Sequence, residues 1–275
     1  MVHIVTDSTS DIPIDTAREL GITVVPAHVI FDEQSYDDGI TITRDEFYQR
    51  LAHSPRLPTT SAPSPGEFGE AYQKISGEIV SIHVAAALSS ILSSAHAAAQ
   101  MVPEAQVTLF DSTSLAMGLG WQVIQAARAA QAGQTVKQIV SVLERVRPRV
   151  RVYAALDTME YVRRGGRVGW ARAMLGQLLS IKPIIEVRDS EVISLERVRT
   201  RRASLERLKE LIYALGPLQA LAVQHTRALD EARNLATELA ARIALPEPIV
   251  ICEATTAIGT HVGPNGLGLI AVMAE

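Results

Sequence analysis

The chain has 275 residues, of which 47% are hydrophobic and 20% are charged, so it is long enough for one large domain or two medium ones. Its formal net charge of −4 argues against a general nucleic-acid-binding protein. The single cysteine, Cys252, excludes an internal disulfide, and because it follows an apolar run we expect it to be a small buried hydrophobe.

The N-terminal half alternates between strand and helix patterns. Apolar runs predict strands at 2–5, 23–25, 28–31, 77–84 and 106–110. Capping signals and apolar periodicity predict helices at 11–20, 43–52, 65 onward, 90–101, 114–131 and 136–146. Residues 53–65 carry four prolines and many hydroxyls, which predicts an irregular loop. Strands that end in polar residues and alternate with helices indicate a parallel α/β sheet, whose ligand crevice lies outside the strand C-termini.

The pattern changes after about residue 150. Strands are predicted at 149–153, 218–224, 248–252 and 267–273, with a hairpin over 184–193 that turns at Asp189-Ser190. Helices are predicted at 159–164, 203–214 and 229–243. The sequence therefore predicts an α/β fold with a parallel-sheet domain at 1–148 and an α+β domain with a mixed or antiparallel sheet at 149–275.

Charge is unevenly distributed along the chain. Residues 144–209 hold sixteen Lys or Arg and eight Asp or Glu, a net of +8, while the other residues have a net of −12. This basic segment predicts an anionic ligand or an acidic partner surface, with a solvated, salt-bridged face as the alternative. The N-terminus does not read as a signal peptide, and no stretch reaches transmembrane length without charge. We expect a cytoplasmic protein without a transmembrane segment, for which transient membrane contact stays open.

Small polar motifs recur along the chain, without a cofactor fingerprint, a nucleophile–base pair or metal-ligand spacing. Their hydroxyl, guanidinium and imidazole groups are those that hold a carboxylate or a phosphate. This combination favours a protein that holds an acidic ligand over an enzyme that transforms it. The motifs are Thr6-Asp7-Ser8-Thr9-Ser10-Asp11, Thr60-Ser61-Ala62-Pro63-Ser64, Leu88-Ser89-Ser90, Gly165-Gly166-Arg167, Arg199-Thr200-Arg201-Arg202 and His261-Val262-Gly263-Pro264.

Together with Asp111-Ser112, Gly118-Leu119-Gly120 and Ile181-Lys182-Pro183-Ile184, these motifs stand in the order found in the DegV family of bacterial fatty-acid-binding proteins, which the chain resembles over nearly its whole length. It departs from the family at two places. The family's usual Leu-Ser-Gly-Thr-Tyr reads Leu88-Ser89-Ser90-Ile91-Leu92 here, and its Gly-Pro-Gly reads Gly263-Pro264-Asn265.

The resemblance implies a two-domain fold that buries one long-chain fatty acid with its carboxylate at the domain cleft. It further implies that a separate ATP-dependent fatty-acid kinase converts this carboxylate to an acyl-phosphate for lipid synthesis. The protein would then be a substrate-binding subunit without catalytic machinery, metal or cofactor of its own, because ATP and Mg²⁺ belong to the kinase.

A buried carboxylate requires hydrogen-bond donors. Thr60 and Ser89 are predicted to donate from junctions between irregular chain and helix, with helix capping as the alternative. His261 is predicted to lie in a Gly/Pro loop, and the other six histidines lack such a setting. The full set that we expect at the carboxylate is Thr60, Ser61, Ser89, Ser90, Arg167, Arg199 and His261.

Two further groups of residues complete the predicted site. Asp7, Ser8, Asp111, Ser112, Gly118 and Gly263 are expected to shape the cleft, with capping and turn formation as the alternative for the polar ones. Lys182, Arg201 and Arg202 are expected to face a partner or to form surface pairs. Apolar residues near the motifs are tunnel candidates, with ordinary core packing as the alternative: Leu119, Leu175, Leu178, Leu179 and Ile181.

Two other functions stay open on the sequence. A hydrolase acting on an acyl ester would use Ser89 and His261, with Asp111 as the acid, but no Gly-x-Ser-x-Gly elbow occurs. The second is a carrier of another acidic amphiphile, which the sequence does not separate from a fatty-acid carrier.

Overall fold

The structure is a computed structural model that describes residues 1–166, 168–169 and 181–275. The strands are β1 (His3–Asp7), β2 (Thr23–Val25), β3 (His28–Phe31), β4 (Gln34–Asp37), β5 (Thr59–Ser61), β6 (Glu78–His83), β7 (Gln106–Asp111), β8 (Val150–Ala155), β9 (Lys182–Arg188), β10 (Glu191–Val198), β11 (Leu218–His225), β12 (Val250–Glu253) and β13 (Leu267–Met273).

The helices lie between the strands, and capping boxes begin three of them, at Thr43, Ser64 and Thr135. They are α1 (Ile14–Glu19), α2 (Arg44–His53), α3 (Pro65–Gln73), α4 (Ile91–Met101), α5 (Met117–Gln131), α6 (Val136–Val146), α7 (Glu160–Gly165), α8 (Arg201–Tyr213), α9 (Leu229–Ala240) and α10 (Thr256–Val262).

The strands form three sheets. The first is parallel throughout, in the order β2-β1-β6-β7. A small antiparallel sheet in the order β4-β3-β5 places Thr60 opposite Val29. The third sheet has the order β10-β9-β8-β13-β11-β12 and is antiparallel except for the β11–β12 pair. The predicted fold class, a parallel sheet followed by a mixed one, is confirmed.

Helix α5 lies between the parallel sheet and the six-stranded sheet and is buried along most of its length. Leu119 and Val123 join the core of the parallel sheet, while Met117 and Trp121 join a core with strands β8 and β13. A β-carbon on Gly118 would lie 2.5 Å from Val152 of β8. The helix therefore needs a glycine here to approach the second sheet closely.

The predicted boundary between residues 148 and 149 falls in a 3-10 turn over Arg147–Arg149, between α6 and β8. It stays a prediction. Helix α10, although late in the chain, packs against β3, β5 and α7. This helix therefore joins the two halves of the sequence.

The local predictions were wrong at three boundaries. Residues 59–61 form β5 rather than an irregular loop, because their backbone pairs with β3. Asp11 has φ of +53° and does not cap α1, which begins at Ile14. Ala116 has φ of +54°, so α5 begins at Met117 rather than at 114.

Two other expectations concern burial and membrane crossing. Cys252 is buried as predicted, and burial raises the pKa of its thiol. Within the described ranges, no helix has the length and apolar character needed to cross a bilayer.

Candidate functional site

A cavity of about 380 Å³ lies between the C-terminal edge of the parallel sheet and one face of the six-stranded sheet. Thr9, Ala27 and Val84 line it directly after β1, β2 and β6 end. Val152 of β8 and Ile185 of β9 line the opposite side. This is the crevice outside the strand C-termini that the alternation of strands and helices predicts, and its volume is within the range of about 300–1,000 Å³ for ligand sites.

Most of the lining is aliphatic, as the 4% aromatic content of the chain requires. The apolar lining residues include Ala27, Ala62, Val84, Leu88, Ile91, Leu115, Val152, Ala154, Val162, Val168, Ile185, Val187, Val192, Ile258, Val262 and Ile270. Such a surface suits an apolar chain, and the polar lining residues are fewer.

The structure brings Thr60 and His261 together. The Thr60 hydroxyl lies 2.9 Å from Nε2 of His261, and both residues line the cavity. Thr60 is carried by β5, so the predicted junction between irregular chain and helix was wrong for this residue. His261 lies in the last turn of α10 and not in a loop, and the loop begins at Gly263. A hydroxyl and an imidazole side by side can each donate a hydrogen bond to a bound carboxylate, in place of the hydrogen bond between them.

Two glycines allow this arrangement. A β-carbon on Gly165 would lie 2.5 Å from Nδ1 of His261, so α7 could not pack on the imidazole with any side chain there. Gly263 has φ of +74°, and a β-carbon on it would lie 2.1 Å from the ring of Tyr161. Gly263 thus ends α10 two residues after His261. Both its backbone conformation and its packing against Tyr161 exclude any other residue type at this position.

The other end of α10 is held by two buried carboxylates from the N-terminal half. Asp11 accepts a hydrogen bond from the backbone N–H of Thr255 at 2.7 Å. Asp38 accepts from the N–H and the hydroxyl of Thr256, at 2.9 and 2.7 Å. Acidic groups at a helix N-terminus complement its dipole and its free N–H groups. The pKa of Asp11 is raised to about 7, chiefly by burial; the hydrogen bonds from Thr255 and Gln224 act against this rise, and the nearby Asp38 adds to it.

Ser61, Ser89 and Ser90 also line the cavity. The hydroxyl of Ser89 accepts a weak hydrogen bond from the N–H of Ile91, at 3.3 Å, where α4 begins. Ser61 and Ser90 are exposed at the rim, while Ser89 is half-buried. The capping alternative therefore holds for Ser89, whose hydroxyl has a second lone pair and a proton left for a ligand.

The predicted cleft-shaping residues do not line the cavity themselves. The carboxylate of Asp7 accepts from the N–H groups of Thr9 and Val84, at 3.0 and 3.2 Å. Asp111 accepts from the N–H of Thr113 at 2.8 Å, and the carbonyl of Ser112 accepts from Gln122. These contacts are those of turns, which was the alternative to a role in shaping the cleft.

Ser8 connects this edge of the sheet to α10. Its hydroxyl donates to Asp38 at 2.7 Å and accepts from the N–H of Ala27 at 3.0 Å. Because Asp38 in turn holds Thr256, Ser8 fixes the carboxylate that anchors the helix carrying His261.

Of the predicted basic residues that the structure describes, none lines the cavity. Arg167 lies outside the described residues, as do the tunnel candidates Leu175, Leu178 and Leu179. Arg199 is exposed beyond the end of β10 and does not line the cavity, so its contact with the carboxylate stays a prediction.

Arg201 and Lys182 are engaged in ion pairs within the chain. Both guanidinium edges of Arg201 are used: Nε and Nη2 donate to Glu231 at 3.1 and 2.7 Å, and Nη1 donates to the carbonyl of Asn265 at 2.6 Å. Lys182 pairs with Asp157. The surface-pair alternative therefore applies to these two, and Arg202 is exposed.

We expect Arg201→Ala to lower the free energy of unfolding by about 1–2 kcal/mol, because Glu231 and the Asn265 carbonyl lose charge-assisted donors. Its exposed neighbour is the matched control, and Arg202→Ala should change the same quantity by no more than about 0.5 kcal/mol. Urea unfolding measures both. Equal effects of the two variants would contradict a structural role for Arg201.

A buried chain of hydrogen bonds has the residue types of a catalytic triad. Asp7 lies 3.0 Å from Nδ1 of His83, whose Nε2 lies 2.7 Å from the hydroxyl of Ser81. Tyr72 binds the same hydroxyl at 2.9 Å, and all four side chains are fully buried. None of the four lines the cavity. The chain braces the core of the parallel sheet, and it gives a substrate no access to Ser81.

The sequence analysis missed several residues of the site. Gln224, His225 and Thr226, at the end of β11, line the cavity, so His225 corrects the view that the other histidines lack a suitable setting. Burial lowers the pKa of His225, which favours its neutral form. The sequence contains a signal for these three residues, because they form a polar run at a strand end, the same pattern that points to Asp7 and Asp111. Asp38 offered no comparable signal.

A second missed cluster supports β5. Nδ1 of His28 lies 3.0 Å from Asp37, and its Nε2 lies 3.1 Å from Glu67. Glu67 also closes the capping box with Ser64 at the start of α3. His28 lies on β3, between β4 and the strand that carries Thr60, and its imidazole thus links β4 to α3. These three side chains have metal-ligating types, but each nitrogen of the ring already faces one carboxylate.

The chain is similar to known proteins over most or all of its length. The family model of the uncharacterised DegV family matches residues 1–274. A DegV domain-containing protein of Deinococcus radiodurans is 40% identical over 212 residues, covering 76% of this chain and 75% of the relative. Protein DegV of Bacillus subtilis is 32% identical over 275 residues, covering 98% of each chain.

Solved structures give the same result. The structure of a DegV family protein from Thermus thermophilus, described by its fatty acid binding, is 30% identical and superimposes with a TM-score of 0.88 over 99% of both chains. That of DegV from Bacillus subtilis, described as a fatty acid binding protein, is 31% identical with a TM-score of 0.88 over 99% of both chains. A full-length match in sequence and in fold leaves one assignment: the chain belongs to the DegV family.

Proposed function

We propose that this protein binds one long-chain fatty acid, with the carboxylate beside Thr60 and His261 and the tail along the aliphatic part of the cavity. The observation that carries the proposal is the asymmetry of the cavity, whose hydroxyl and imidazole donors meet at one place while the remaining lining is largely apolar. The fatty acid binding of the Thermus thermophilus and Bacillus subtilis proteins, at 30% and 31% identity, supports it.

The tail and the head group contribute differently. A tail of about fifteen methylenes supplies on the order of 12 kcal/mol of gross burial energy, at about 0.8 kcal/mol each. Loss of translational and rotational freedom offsets much of this. Without donors a buried carboxylate would be costly, so Thr60, Ser89 and His261 decide which end of the ligand lies at this place.

We further propose that the protein presents this carboxylate to a separate ATP-dependent kinase, which forms the acyl-phosphate. An outer hollow of about 280 Å³ supports this, because His261 lines both the hollow and the cavity. Arg56 and Arg164 also line the hollow beside the carboxylate end, and Arg164 is paired with Glu160 at 3.1 Å. In this scheme ATP and Mg²⁺ belong to the kinase, and the use of ATP places the reaction in the cytoplasm.

Extraction of the purified protein with organic solvent, followed by mass spectrometry, tests the binding proposal first. We expect one fatty acid per chain. A different acidic amphiphile in the extract would support the alternative carrier, and an empty protein that also refuses added fatty acids would contradict both. Esterase activity abolished by Ser89→Ala would revive the hydrolase.

The kinase proposal needs its own experiment. Purified partner kinase and ATP should form acyl-phosphate on the loaded protein, and Arg202→Glu should weaken this coupling while fatty acid binding is unchanged. Arg202 suits this test because it is exposed, whereas Arg201 is held by Glu231. Loss of both binding and coupling in Arg202→Glu would contradict a partner-facing role.

A further inference from the structure

Two rows of residues cross the cavity face of the six-stranded sheet. In the first row, Gly268 of β13 pairs with Ala154 of β8. In the second row, Ile270 of β13 pairs with Val152 of β8, which pairs with Val187 of β9. All five residues line the cavity. Residues two apart on a strand are about 7 Å apart, so the rows stand at different depths.

The first row lies nearer to the proposed carboxylate position. Strand β13 begins just after Gly266, whose β-carbon, if present, would lie 2.5 Å from Val262, the neighbour of His261. Along β13 from this point, Gly268 comes before Ile270. A chain that enters from His261 therefore meets the first row and then the second.

The two rows differ in size. In the middle of the first row, Gly268 and Ala154 project at most one methyl group each and leave a passage, which is flanked in the same row by Ile185 of β9 and Gln224 of β11. Ile270, Val152 and Val187 are β-branched and buried, with exposed fractions of 1%, 4% and 4%. Leu88 and Leu115 from the N-terminal half pack against the same cluster.

The cavity lining stops at the second row within the part of the chain that the structure describes. The next residues on the same face of the strands, Val150 and Val272, pack with Trp121 of α5 in a closed core. An acyl chain that passes the first row thus ends against well-packed β-branched side chains, which yield little space.

We infer that Ile270, Val152 and Val187 form an end stop that sets the longest acyl chain this protein accepts, and that Gly268 and Ala154 form the passage leading to it. The inference rests on the proposed fatty acid binding and adds its length selectivity. Each methylene of the acyl chain that gains or loses a buried position changes the affinity for the fatty acid about fourfold.

Variants of the stop and variants of the passage should shift chain-length selectivity in opposite directions. Val187→Ala removes two methyl groups from the stop and should move the preferred chain longer by about one or two carbons, with about a fourfold gain per added methylene. Gly268→Ala places a β-carbon 3.3 Å from the end of the Ile270 side chain, which must shift slightly to admit it. The added methyl group narrows the passage and should favour shorter chains. Gly268→Val should shorten them further.

Val223→Ala is the matched control for Val187→Ala. Val223 is fully buried in β11 of the same sheet but faces the opposite core, under α8 and α9. It loses the same two methyl groups without touching the cavity and should keep the wild-type preference. Ile270→Val, which removes a single methylene from the stop, provides a milder lengthening variant if Val187→Ala does not fold.

The measurement is competition among saturated fatty acids of successive even length, from laurate to arachidate, together with the chain lengths that copurify with each variant. Opposite shifts in the Val187 and Gly268 variants, with Val223→Ala unchanged, are the expected result. Wild-type selectivity in all folded variants would overturn the end stop while the proposed binding stands. A wild type that binds no fatty acid would overturn the binding proposal and the stop together.

Discussion

His261→Ala should weaken fatty acid binding by about tenfold to a hundredfold. A hydrogen bond to a charged group contributes about 1.5–3 kcal/mol, and the carboxylate would lose the imidazole donor from a largely apolar site. Thr60→Val should act in the same direction, because the hydroxyl lies 2.9 Å from the imidazole and serves the same place. Titration with the fatty acid that copurifies with the wild type measures both.

The effect should be specific to binding. The free energy of unfolding without ligand should fall by only about 1 kcal/mol, the contribution of one neutral hydrogen bond. His96→Ala, an exposed histidine on α4, is the control and should bind like the wild type. If His261→Ala and His96→Ala bind equally well, the carboxylate does not lie at this end of the cavity.

The second large effect is a dependence of stability on pH that comes from Asp11. Its pKa rises from 3.8 to about 7 on folding, chiefly because of burial, so the folded state binds a proton that the unfolded state has already released. The stabilising contribution of the neutral form is full below about pH 4 and is lost as the pH rises to about 7. A shift of about three units corresponds to about 4 kcal/mol.

Asp11→Asn removes this titration. As the pH rises from 4 to 7, the free energy of unfolding of the wild type should therefore fall relative to that of the variant by up to about 4 kcal/mol. Above pH 7 the difference between the two proteins should be constant. Urea unfolding of both proteins at each pH cancels the other titrating groups. A difference that does not change with pH would show that Asp11 titrates at its ordinary pKa.

Asp11 also connects stability to the site. Its carboxylate holds the N–H of Thr255 at the start of α10, and His261 lies in the last turn of the same seven-residue helix. Gln224, which lines the cavity, donates to the other oxygen of Asp11. Binding measured over the same pH range should therefore change less in Asp11→Asn than in the wild type.

Most of the secondary structure can be predicted from the sequence, because the responsible interactions are local. The capping boxes at Thr43 and Ser64 join residues three apart, and the tight turn at Asp189-Ser190 joins adjacent strands. The order of the polar motifs identified the family, and polar residues at strand ends located the crevice. These signals depend on neighbours in the chain and not on how the sheets pack.

Which polar side chains line the cavity, and which form hydrogen bonds within the protein, depends on tertiary packing. Thr60 and His261 are 201 residues apart, and Asp11 and Thr255 are 244 apart, so no local pattern pairs them. Arg201 has the same sequence surroundings as Arg202, yet Glu231 and Asn265 hold only the first. A polar side chain takes its role from the partner that packing brings within hydrogen-bond distance, and that partner is set by the fold as a whole.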